Sequence, residues 1–101
     1  MKVVIDDIDY EIYCTETYLD YLQENIKRLT KAQKYYDKMM SAPNEKKKEF
    51  FREYVQIYLD QNETVDAVPE IKGEYEKAYE LRKNKIDTLH EEIKKIKKLK
   101  I

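Results

Sequence analysis

Residues 1–13, MKVVIDDIDYEIY, set the fold class, because here the chain reads as strand and everywhere after as helix or connection. Pairing Ile5 with Ile8 across a turn at Asp6-Asp7 also sets Val3 opposite Tyr10 and Lys2 opposite Glu11, so one register satisfies several cross-strand pairs. With a side-chain period of two, Met1, Val3, Ile5, Ile8, Tyr10 and Ile12 share one face, while Lys2, Val4, Asp9 and Glu11 share the other. The turn lacks the Asn-Gly or Asp-Gly of favoured hairpins. Two strands alone are marginal in water. The expectation is a β-hairpin that packs on helices or adds strands from a second subunit.

Outward from this stretch the pattern turns helical. Thr15 or Thr17 can cap a first helix over 17–41, with Asp20 three positions after Thr17 completing something close to a capping box. Tyr18, Leu22, Ile26, Leu29, Ala32, Tyr36, Met39 and Met40 recur at three and four residues and form its apolar stripe. Asn25 falls at a seam position. Buried there, its amide would need a partner and could fix register or oligomer state; the expectation is an exposed side chain at the stripe's edge. Ser41-Ala42-Pro43-Asn44 breaks the helix, since Pro43 cannot continue it and Asn44 caps the next, over 45–60. Phe50, Phe51, Tyr54, Val55, Ile57, Tyr58 and Leu59 span about half the circumference of this second helix, wider than the ~100° stripe of a one-sided helix, so it should meet two neighbours. Pro69 and Gly73 mark 61–73 as a connection, with Val65, Val68 and Ile71 tucked inward. A third helix over 74–100 carries a heptad of Tyr75, Tyr79, Ile86, Leu89, Ile93 and Ile96, broken by Arg82. The predicted fold is thus one α+β domain, mainly α, with an N-terminal hairpin on a bundle of about three helices, forming an oligomer.

Composition agrees with long exposed helices: 41% of residues are charged, against a usual ~25%, and there is one Gly and two Pro. At 101 residues, one core is expected. The charge is polar end to end. Up to Glu24, seven acids face only Lys2, giving −6; from Arg82 onward, eight bases outweigh three acids, giving +5. Such polarity could orient two copies antiparallel or present a basic tip to an acidic partner, although an unevenly charged solvated face is the plainer account. Asp6 and Asp7 interrupt any signal-peptide core, and no run approaches ~18 apolar residues, so the expected location is the cytoplasm. Cys14 has no second cysteine to pair with, and Asn62-Glu63-Thr64 is a glycosylation acceptor only in a secreted chain. In its opening hairpin and its Lys-, Ile-, Tyr-, Asn- and Glu-rich usage the chain resembles short accessory proteins of phages and mobile elements, some of them assembly factors or inhibitors acting in the host cytoplasm. No site residue follows from that resemblance.

The chemistry-bearing residues are few. His90 and Asp87, three apart, share a helical face, but metal sites need three or four ligands and there is no second His, so no metal or other cofactor is expected. No nucleophile–base pair or phosphate-cradling glycine loop is present, so catalysis is not expected. Ten tyrosines against two Phe and no Trp point to a Tyr-rich core or an aromatic contact surface, and Tyr13, Tyr21 and Tyr35 lie off the main stripes. Lys94, Lys95, Lys97, Lys98 and Lys100 could meet phosphates, yet they lack the aromatics and arginines that read bases, and Lys also suits a helix C-terminus without any partner. The preferred function is non-catalytic protein binding, as adaptor, assembly factor or inhibitor, with Phe51, Val55, Tyr58, Ile86, Leu89 and Ile93 as contact candidates. The alternative is a sponge for a nucleotide-like ligand held between rings, with Tyr75, Tyr79, Arg82 and Lys83 as candidates. Non-specific nucleic-acid binding through the Lys-rich end is the weaker alternative.

Overall fold

A computed structural model describes residues 2–99. Three helices follow one another: α1 over Lys2–Met40, α2 over Glu45–Ile57 and α3 over Val68–Leu99, the last entered through a short 3-10 turn at Val65–Ala67. Among the described residues there is no strand.

The expected hairpin is therefore replaced by the first three turns of α1. Ile5, Ile8 and Ile12 fit a helical spacing of three and four as well as one face of a hairpin turning between Ile5 and Ile8, and Tyr10 separates the readings. A hairpin would set Tyr10 among the isoleucines; in the helix it points away from Ile8 and Ile12 and is 70% exposed. Energetically the helix wins because extending α1 backwards needs no new nucleation. It also buries Ile8 and Ile12 against Leu89 and Ile93 of α3, with Ile86 and Ile96 alongside. Thr15 and Thr17 cap nothing: their hydroxyls donate to the carbonyls of Glu11 at 2.8 Å and Tyr13 at 3.0 Å, one turn back. The likeness to accessory proteins that open with a hairpin loses that feature. Met1 on the hairpin face and Lys100 in the third helix lie outside the described residues.

The second departure is at the start of α3. Pro69 is tolerated because it occupies the first turn, where its missing N–H would have no helical acceptor. Gly73 lies inside the helix with no positive φ and no neighbour close enough to require the absence of a side chain. The break between α1 and α2 is as expected, with Asn44 Oδ1 accepting the Lys47 N–H at 2.9 Å.

The chain is a rod of 70 × 21 × 14 Å with a radius of gyration of 20.1 Å, where a compact domain of this length would have about 13 Å. At one end, the head, α2 and the 3-10 turn pack on α1 and the start of α3, burying Ala32, Met39, Val55, Val65 and Val68 together. At the other, the arm, the first turns of α1 run antiparallel to the last turns of α3 as a two-helix pair. The charges suit this pairing. α1 is acidic up to Glu24 and basic from Lys27 to Lys38, whereas α3 is acidic from Glu70 to Glu80 and basic from Arg82 onward. Antiparallel packing sets each half beside one of opposite sign, and Lys85 Nζ reaches Glu11 Oε1 at 2.8 Å. The end-to-end polarity in the sequence is thus met within one chain. A slip in register would lose these pairings along with the apolar seam.

Candidate protein-docking surface

α2 is amphipathic in two directions. Val55 is fully buried, and Phe51 and Tyr58 pack against the same core. Phe50, Tyr54 and Ile57, at positions i, i+4 and i+7, form a second stripe that faces solvent. The apolar arc is wide, but α2 has one principal neighbour, α1, so the rest of the arc stays open.

This stripe rests on an aromatic bed. The Tyr35 ring of α1 stacks on Tyr54 at 5.1 Å and on Tyr58 at 6.0 Å between centroids, and Phe50 meets Tyr54 at 5.0 Å and Phe51 at 5.5 Å, both edge-on. Lys38 Nζ lies 5.4 Å from the Tyr35 centroid and Lys34 Nζ 6.0 Å, both over that ring. Beside Phe50 and Phe51 a shallow open groove runs between the α1–α2 connection and α2, walled by Lys38, Pro43 and Lys47. The surface is aromatic at its centre and basic at its rim.

A polar clamp fixes α2 and its exit loop to α1. Arg28 Nη1 donates to the Tyr58 carbonyl and to Glu63 Oε1, both at 2.6 Å, and Nη2 donates to Asn25 Oδ1 at 2.8 Å and Glu63 Oε2 at 3.1 Å. Glu63 also accepts the Asp60 N–H at 2.8 Å. Its side chain is only 10% exposed. The hydrogen bond from Arg28 holds the Glu63 carboxyl below its usual pKa, against the opposing effect of burial and with help from the Asp60 N–H. Asn25 is buried, contrary to the expected edge position, and its amide is satisfied by Arg28 and by the Tyr21 carbonyl at 2.9 Å. It holds Arg28, which in turn ties the loop after α2 to α1.

The contact candidates read from the sequence are engaged inside the chain. Phe51, Val55 and Tyr58 belong to the head core; Leu89 and Ile93, with Ile86 beside them, close the arm on Ile8 and Ile12. The ligand candidates do not converge. Arg82 lies over the Tyr18 ring at 4.4 Å, Lys83 is exposed, and Tyr79 lines a groove with Gln23, Ile26, Glu76 and Glu80 that does not include Tyr75. Two carboxylates in that groove would repel a phosphate. Asp87 and His90 are both exposed, and among the described residues no three His, Cys, Asp or Glu side chains gather as a metal site. No described helix is long and apolar enough to cross a membrane.

Phe50, Tyr54 and Ile57 were within the apolar arc seen in the sequence, but nothing in the sequence said which part of it faces out. Tyr35 was legible as off-stripe. Arg28 and Glu63 carried no signal, being 35 residues apart with ordinary neighbours. Comparison with known families, with curated proteins and with solved structures finds no match to this chain.

Proposed function

We propose that the chain is a non-catalytic protein-binding module that docks a partner on the outer face of α2. One observation carries this reading: the exposed stripe of Phe50, Tyr54 and Ile57, backed by Tyr35 and rimmed by Lys34, Lys38 and Lys47. Exposed apolar residues scattered singly mean little, but an aligned aromatic patch with a polar rim has the composition of contact surfaces. The clamp through Arg28 supports the reading, because a pre-positioned surface loses less entropy on binding. The basic rim selects an acidic partner, and the straight stripe suits an amphipathic helix laid along it.

The test is fluorescence anisotropy with a labelled amphipathic helical peptide carrying Leu on one face and Glu on the others. Saturable binding is expected, weakening as salt rises, with at least a tenfold loss in Phe50→Ser/Tyr54→Ser protein whose circular dichroism is unchanged. Equal binding of a Lys-substituted peptide, or no effect of the double substitution, would overturn the reading.

A further inference from the structure

Resting on that reading of the α2 surface, we infer that recognition is concentrated at its Phe50 end. There the groove beside Phe50 and Phe51 takes one large apolar side chain of the partner helix, and Lys38 and Lys47 together hold a carboxylate one helical turn further towards the α1–α2 connection. The recognised element is thus an apolar residue with Asp or Glu three or four positions away on the same helical face. The groove suits an anchor side chain better than a free ligand. Pro43 closes it at the connection, Phe50 and Phe51 give it an apolar wall, and Lys38 and Lys47 stand on its two helices. At about 420 Å³ and open along one side, it cannot enclose a small molecule as ligand pockets do, but it can cover one side chain of a helix held along the stripe.

The two lysines have no carboxylate of their own. Ion pairs of the head join Arg28 to Asp60 and Glu63, Arg52 to Glu49 and Asp66, and Lys72 to Glu76, so its charge is not balanced at this groove. Among the described residues no ion pair reaches Lys38 or Lys47. Asp37, beside Lys38 in sequence, falls on the far side of α1 from Tyr35 by the helical period. Lys38 Nζ lies instead 5.4 Å from the Tyr35 centroid and 6.0 Å from that of Phe51, an ammonium held over rings at the wall of the groove. The spacing sets where the acid belongs. Lys47 precedes Phe50 and Phe51 by three and four residues, and Lys38 follows Tyr35 by three, so both cations lie one turn beyond the rings in the same direction. A carboxylate placed there sits partly out of water against aromatic faces, where its attraction to the two ammoniums exceeds that of a fully solvated pair.

The probe is a labelled helical peptide with Leu at i, i+4 and i+7 to match Phe50, Tyr54 and Ile57, Gln at its other exposed positions, and one Glu moved along it. Anisotropy with the full-length protein should show tightest binding when the Glu lies three or four residues outside a terminal Leu, about tenfold tighter than with the Glu near the middle. Lys38→Gln/Lys47→Gln should remove that gain and leave binding of the peptide without Glu unchanged, a coupling between the two sides of the contact. Lys27→Gln/Lys31→Gln, an equal loss of charge on α1, should change neither peptide by more than about twofold. Ser41 lines the groove and is exposed, so in Cys14→Ser/Ser41→Cys protein an activated peptide thiol at the Glu end should be trapped as a disulfide much faster than one at the opposite end. A flat profile as the Glu moves, equal losses from the two lysine pairs, or equal trapping at both peptide ends overturns the inference. If the peptides in that case still need Phe50 and Tyr54 to bind, the docking surface stands and only the anchor falls. If no peptide binds, the reading of the α2 surface falls as well.

Discussion

The two ends of the rod are built from the same two helices and differ by the presence of α2. In the head, a third helix lets Leu29, Met39, Val55 and Val68 become fully buried, and a five-residue polar clamp closes the exit loop. In the arm, each helix has a single partner. Ile8, Ile12, Leu89 and Ile93 reach the seam but keep 5 to 9% of their surface in water, and tyrosines occupy the far side of α1. Burial needs neighbours on more than one side. The head should therefore hold the cooperative core, while the arm takes its stability from one apolar seam.

The largest test of this contrast is truncation at the two seams. Leu29→Ala should cost about 3–5 kcal/mol in urea unfolding, whereas Ile12→Ala should cost about 2 kcal/mol or less, since the two-helix arm can collapse around the gap. Equal losses would show the arm to be as tightly built as the head.

Breaking the clamp comes next. Arg28→Met leaves Glu63 charged and nearly buried without its partner, and should cost about 2–4 kcal/mol. The linkage has a definite sign. Glu63 has a folded pKa below its unfolded value of about 4.3, so its contribution is complete above that pH and is lost as pH falls through the folded value. The melting temperature of wild type should therefore drop on acidification below about pH 4, and Glu63→Gln should show less of this drop. An identical pH profile in the two proteins would remove the clamp from the account of head stability.

Amide exchange gives a finer comparison. Protection should be highest around Leu29, Met39 and Val55 and should decline along α1 and α3 towards the tip of the arm. The smallest effect is at Gly73. Open space surrounds it and its backbone is helical, so Gly73→Ala should stabilise the chain by roughly 0.5–1 kcal/mol, a rise in melting temperature of a few degrees.

The break at Pro43 and the Asn44 cap followed from local chemistry: a ring that fixes φ and a side chain that accepts its own helix's N–H need no distant partner. The same holds for the core positions Leu22, Leu29, Ala32 and Met39, whose spacing places them on one face whatever that face meets. The opening segment was different. Ile5, Ile8 and Ile12 fit both a strand and a helix, and the choice was made by Leu89 and Ile93, some eighty residues away in the chain. The Arg28–Glu63 clamp likewise exists only once α2 has folded back on α1. Local chemistry dictated that the chain is mainly helical, where α1 ends and α2 begins, and which faces are apolar, because these depend on neighbours within a few turns. Which of those faces close on one another, and which stay open to solvent, only the folded arrangement settles, because a side chain is buried only by whatever packs against it from elsewhere in the chain.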